Sequence, residues 1–171
     1  MDKRIMVKLS GEALSGEGKL GYDINEIEYV ANELKQLKEE GFEIAVVLGA
    51  GNIIRGKTLT NLKFHRSIVD YLGMLGTVMN ALVLSESLNN MSVQSKAFTL
   101  LDVPRVLSSY QRNKALKRIE THILIFGGGT GRPYFTTDTN AVGLALELEC
   151  EYLLKATKVE GLFTADPKKE S

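Results

Sequence analysis

Phe126 to Asp138 reads FGGGTGRPYFTTD, the densest gathering of potential chemistry in the chain. Four glycines in five positions are followed by an arginine, an aromatic pair, two threonines and an aspartate. Glycines at the carboxyl end of a strand let the backbone turn sharply and bring bare N–H groups close to a ligand. Thr130, Thr136 and Thr137 add hydroxyls, and Arg132 adds a planar cation suited to phosphate. A helix expected from about Thr139 to Glu149 directs its positive end at the same place. Three more junctions share this character: Lys8-Leu9-Ser10-Gly11, Gly49-Ala50-Gly51-Asn52 with Arg55, and Lys155 to Gly161. Lys8 sits beside a Ser-Gly turn, but not in the GxxxxGK[ST] spacing of a P-loop. No histidine or cysteine stands in these loops with a nucleophile's setting. Direct phosphoryl transfer, governed by positioning and charge, fits them better than a covalent route.

The elements that must hold these loops follow from hydropathy. Arg4–Leu9, Glu43–Leu48, Val93–Phe98, the run from Thr121 and Glu151–Leu154 read as strands. EIAVVL at Glu43–Leu48 is near-continuously apolar, as in a sheet covered on both faces. Asp23, with Glu26 three residues on, caps a helix whose Ile24, Ile27, Val30, Ala31, Leu34 and Leu37 form one apolar face; Gly41 ends it. A longer helix, about Ser67 to Leu88, is apolar on most sides, which predicts burial or a subunit interface. Its Gly73 and Gly76 would admit another backbone. Asp70 stands out within it, since an unpaired buried carboxylate is costly. It either lies on a wet first turn or accepts hydrogen bonds from a ligand. Ser109 is expected to cap a short basic helix, Tyr110–Ile119. Alternating strands and helices predict a three-layer α/β/α sandwich around a mostly parallel sheet, with the loops converging beyond the strands' carboxyl ends.

Composition narrows the classes. With 171 residues, 44% hydrophobic and 25% charged, the chain is an ordinary globular domain with no linker or repeat. Lysine plus arginine equals aspartate plus glutamate at 21 each, so no basic field points to nucleic acid. One cysteine, Cys150, forbids an internal disulfide and fits a reducing compartment. No signal-peptide pattern opens the chain and no apolar segment approaches membrane-spanning length, so a soluble, cytoplasmic protein is expected.

KLSGEAL at Lys8–Leu14, GAGNIIRG at Gly49–Gly56, DYLGMLGTVMNAL at Asp70–Leu82, GTGRPYFTTDTNA at Gly129–Ala141 and KATKVEGLFTADP at Lys155–Pro167 resemble the bacterial UMP kinases of the amino-acid kinase superfamily. The motifs run in the right order across nearly the whole chain. The resemblance implies transfer of the γ-phosphoryl group of ATP to UMP, with Mg²⁺, giving UDP. By position, Lys8, Leu9, Ser10 and Gly11 correspond to the turn that holds the ATP phosphates, with Gly51 and Arg55 as the next contacts. Thr157, Phe163 and Asp166 correspond to positions around the ATP ribose and base. On the UMP side stand Ala50, Asp70, Thr130, Gly131, Arg132, Pro133, Tyr134, Phe135, Thr136 and Thr137, with Asp70 on the ribose. Lys8 and Asp138 correspond to the catalytic pair, Asp138 orienting Lys8 and the threonines. Gly16, Glu17, Gly18, Lys19, Leu20 and Gly21 correspond to a segment tied to GTP activation in some members. The resemblance further implies a homohexamer and GTP or UTP as effectors.

Two departures stand out. The common family pattern GGGN is here GAGN, so Ala50 fits only with a negative φ. The sequence also stops short of the family length, which predicts a missing last part of the sheet and an exposed sheet edge. Another superfamily kinase, acting on carbamate, an acyl group or isopentenyl phosphate, and a non-catalytic oxyanion-binding member remain as alternatives.

Overall fold

The computed structural model describes residues 3–16, 19–54 and 63–156. Among these residues six strands form one sheet: β1 (Arg4–Leu9), β2 (Glu43–Leu48), β3 (Ser95–Thr99), β4 (Ser108–Ser109), β5 (Ile123–Gly127) and β6 (Tyr152–Lys155). Their order is β4-β3-β5-β2-β1-β6, and every pairing is parallel. Among the described residues four helices cover it: α1 (Ile24–Glu39), α2 (Arg66–Asn90), α3 (Arg112–Ile119) and α4 (Thr137–Glu147). A 3-10 turn, Gly11–Leu14, follows β1.

Side chains alternate across a strand, so each strand feeds two cores. Ile5, Val7, Leu9, Ile44, Val46, Leu48, Ile123 and Ile125 pack with Ile27, Val30 and Leu34 of α1 and Val78, Ala81, Leu84 and Leu88 of α2. The intervening residues, Met6, Ala45, Val47, Leu124 and Phe126, pack with Ala115 and Ile119 of α3 and Ala141, Leu144 and Ala145 of α4. The three-layer α/β/α architecture is therefore as expected, with an all-parallel sheet. The parity has a functional consequence: Lys8 shares the face of Met6, which is the side covered by α4.

Several boundaries differ from the sequence reading, each for a visible reason. The third strand begins at Ser95, because the chain before it still closes α2, with the Val93 N–H donating to Leu88 O. Ser109 does not cap α3. With Ser108 it pairs with β3 as β4, and Gln111 occupies the cap position without a side-chain bond. α4 starts two residues early, at Thr137, because Thr136 Oγ1 accepts from the Thr139 N–H at 3.1 Å. Contrary to expectation, one apolar segment does reach membrane-spanning length. The 25 residues of α2 are long and apolar enough to cross a membrane by length and composition, but Val78, Ala81, Leu84 and Leu88 bury one face against the sheet. The opposite face exposes a stripe of Ile68, Tyr71, Leu75, Met79 and Leu82. Among the described strands β6 lies at the sheet edge, with Tyr152, Leu153 and Leu154 all exposed.

Cys150 lies beside the α3/α4 core, and burial pushes its thiol up to about 11. At pH 8 its thiolate fraction should make alkylation by iodoacetamide on the order of a hundredfold slower than that of free cysteine. Equal rates would mean the thiol is not desolvated.

Candidate active site

Strand ends place the candidate residues. β1 and β2 run in register, Lys8 beside Val47, and β6 sets Lys155 beside Lys8 on the other side. Neighbours in register on parallel strands project to the same face, so both ammonium groups reach the first turn of α4. There Asp138 bridges them, with Lys8 Nζ 3.0 Å from Oδ1 and Lys155 Nζ donating to Oδ2 at 2.8 Å. The Lys8 contact is an ion pair lacking good hydrogen-bond alignment, so Oδ1 keeps accepting capacity. The Lys155 hydrogen bond, aided by Lys8 and opposed by desolvation, holds the Asp138 carboxyl below its usual range.

The sign of this linkage is testable. A carboxyl with a depressed folded value contributes stability that is full above its unfolded pKa, about 4, and is lost as pH falls through the folded value. The stability gap between the unmodified chain and Asp138→Asn, read from urea midpoints, should therefore be constant above about pH 5 and narrow as pH falls below it. A constant gap would show that the two lysines leave the carboxyl unperturbed.

Two loops press together beside this pair. Gly49 N–H donates to Leu9 O at 2.9 Å, and a Cβ at Gly11 would fall 2.7 Å from both Gly49 O and Gly51 N. Leu9 gives its side chain to the core, so only its backbone faces a ligand, and Ser10 Oγ caps the 3-10 turn through Glu12 N–H. Behind them lies a feature that the sequence reading missed. Asn52 and Asn80, both fully buried, exchange amide hydrogen bonds at 3.1 and 2.7 Å. Asn80 Nδ2 also donates to Gly49 O, and Asn52 Nδ2 to Gly21 O. The pair fastens α2, the loop after β2 and Gly21 into one unit. An asparagine amid the apolar positions of α2 was the only available signal. Ala50 has no positive φ, as its side chain requires, and its methyl occupies the space a Cβ at Gly76 would need, 2.9 Å away.

The glycine-rich loop is shaped by three left-handed residues, Gly128, Gly129 and Gly131. The Gly128 N–H donates to Thr77 Oγ1 at 2.8 Å, and a Cβ there would meet the backbone of Leu101 at 2.7 Å. Together with α2 the loop encloses a cavity of about 330 Å³. Of the residues expected on the UMP side, Ala50, Asp70, Thr130, Arg132, Phe135, Thr136 and Thr137 line it, while Gly131, Pro133 and Tyr134 do not; Gly51 lines it as well. Tyr134, at φ 71°, instead donates its N–H to Asp70 Oδ2 at 2.8 Å. Arg66 approaches the same oxygen at 3.7 Å, so both contacts use Oδ2 and neither uses Oδ1. Asp70 is thus a half-buried carboxylate on a cavity wall. The threonines are less free than expected: Thr130 Oγ1 donates to Arg132 O, and Thr136 caps α4.

In the Gly16–Gly21 segment, Gly16, Lys19, Leu20 and Gly21 are described. Gly21 N–H donates to Asn52 O at 2.7 Å, which ties this segment to the loop bearing Gly51. Glu17, Gly18, Arg55, Thr157, Phe163 and Asp166 lie outside the described residues. The described site therefore has a cavity with a carboxylate on its wall at Asp70 and the helix start at Thr137. Immediately beyond Thr137 stands the two-lysine, one-carboxylate cluster.

The family model described as the amino acid kinase family matches residues 3–171. Among solved structures, the UMP kinase of Bacillus anthracis superposes with a TM-score of 0.93 and 34% identity, covering 98% of this chain and 70% of that one. The UMP kinase of Ureaplasma parvum gives 0.92 and 32%, covering 99% and 72%. The aspartate kinase of Synechocystis, at 0.70 and 18% over 96% of this chain and 30% of that one, shares the fold.

Proposed function

Because the chain belongs to the amino acid kinase family and is a phosphotransferase of that family, we propose that it moves the γ-phosphoryl group of ATP onto UMP to give UDP. The observation that carries the acceptor is Asp70, a half-buried carboxylate on the cavity wall, suited to accept hydrogen bonds from ribose hydroxyls. The acceptor's phosphate would lie toward Gly51 and Thr137, where loop N–H groups and the start of α4 favour an anion.

In this reading the ATP triphosphate rests on the Lys8–Gly11 turn and Gly51. A UMP phosphate oxygen attacks the γ-phosphorus in line as its bond to the ADP oxygen breaks. Charge spreads over the equatorial oxygens during transfer, and a fixed cation there lowers the barrier. Lys8 is that cation, held in place by Asp138, which Lys155 anchors from the other side. Mg²⁺ would be carried mainly by the nucleotide's own phosphates. The ion would neutralise triphosphate charge.

A homo-oligomeric contact through the exposed stripe of α2, effector control by GTP or UTP through Gly16–Gly21, and a cytoplasmic setting belong to the same proposal. The test is diphosphate formation from ATP and Mg²⁺ with UMP, CMP, dUMP and AMP offered separately, with and without GTP or UTP. UMP-selective turnover is expected. Turnover with none of the four would sink the nucleotide-acceptor reading.

A further inference from the structure

Gly73 is the one glycine of the described helices that lines the cavity with nothing against it. Among the described residues, a Cβ built there meets no atom within 4 Å, whereas one at Gly76 would collide with Ala50. At Gly76 the Ala50 and Ile53 side chains, rather than another backbone, take up the space, but at Gly73 no described atom does. A glycine inside a helix destabilises it relative to alanine, through backbone entropy. Neither packing nor backbone conformation accounts for that cost here, because the residue lies within α2 and has no positive φ. What distinguishes the position is the cavity. Gly73 lies one helical turn after Asp70 and one before Thr77, and all three line the same wall.

Building on the acceptor reading above, we propose that Gly73 is a specificity-determining residue, the bare floor against which the acceptor's nucleoside packs. A sugar held by Asp70, with its phosphate toward Thr137, must cross the helix between these two points. At Gly73 it can rest directly on the helix backbone. Any side chain would project into the volume that the nucleoside fills, so the position selects for a flat ring lying close to the helix.

Gly73→Ala and Gly143→Ala form a matched pair. Gly143 lies on the exposed face of α4, also with nothing within 4 Å of a built Cβ, and does not line the cavity. Each alanine should leave Tm unchanged or raise it by about 2–4 °C, because a helix interior favours alanine. Titration with UMP should then separate them. In Gly73→Ala, UMP affinity should fall on the order of tenfold or more, from overpacking against the ligand. ATP affinity should hold, and Gly143→Ala should bind UMP like the unmodified chain. Loss of UMP affinity together with undiminished Tm supports the assignment, since damage to the fold would lower both. Equal UMP affinity in Gly73→Ala and the unmodified chain overturns it while leaving the acceptor reading intact. An unmodified chain that binds no UMP overturns the acceptor reading itself.

Discussion

Replacing Lys8 with alanine is expected to lower turnover by a factor on the order of 10³ or more, the scale of removing a cation from a migrating phosphoryl group. UMP binding should be nearly unchanged, because Lys8 is not among the residues that line the acceptor cavity. The fold should also survive. Asp138 keeps its 2.8 Å bond to Lys155, so the substitution does not strand the carboxylate. Single-turnover kinetics under saturating ATP, together with UMP titration, would measure both quantities. Arginine at the same position should not restore the rate, since a planar guanidinium on a longer stem cannot take the place of a point charge in this turn. Turnover within tenfold of the unmodified chain would remove Lys8 from the chemistry.

Gly11→Ala carries the largest expected structural effect. Gly11 has no positive φ, so conformation alone does not demand glycine. The demand comes from across the gap. A Cβ would lie 2.5 Å from Asn52 Oδ1 and 2.7 Å from Gly49 O and Gly51 N, below any real contact distance. Two of these atoms are backbone and cannot swing away, and the third belongs to the buried asparagine pair. Relief requires the two loops to part, which strains the Asn52–Asn80 bonds and exposes polar groups to unsatisfied burial. A cost of about 3 kcal/mol is expected from overpacking together with lost hydrogen bonds. That corresponds to a Tm lower by roughly 6–12 °C for a chain of this size. Because the same two loops are proposed to hold the triphosphate, the KM for ATP should rise more than that for UMP. A Tm within about 2 °C of the unmodified chain would mean the loops are not rigidly apposed.

The long-range periodicities were plain in the chain. Continuous apolar runs such as Glu43–Leu48 mark strands buried on both faces, and the apolar face of Ile24–Leu37 marks a helix, because these patterns depend only on neighbours in sequence. The glycine-rich loop was legible for the same reason, since the left-handed conformation taken by Gly128, Gly129 and Gly131 favours glycine. Short elements were not. Ser108–Ser109 becomes a strand only because β3 offers its edge, and two serines carry no strand signal of their own. Asp70 was legible as an anomaly in an apolar helix, but its place on a cavity wall, with Oδ2 accepting from the N–H of Tyr134, 64 residues away, depends on how the glycine-rich loop packs against α2.

What the sequence determined by itself was therefore the alternation of strand and helix, the loops that bear small residues at strand ends, and the chemistry those loops can offer. Tertiary structure decided which charges meet. Lys8 finds Lys155 through strand register and Asp138 through the parity that sets it on the side of α4. It likewise decided that Asn52 and Asn80 complete each other, and that Gly73 faces open space while Gly76 is closed by Ala50. Each of these depends on distances between residues remote in the chain, set by packing of the whole sheet, and no local pattern encodes them.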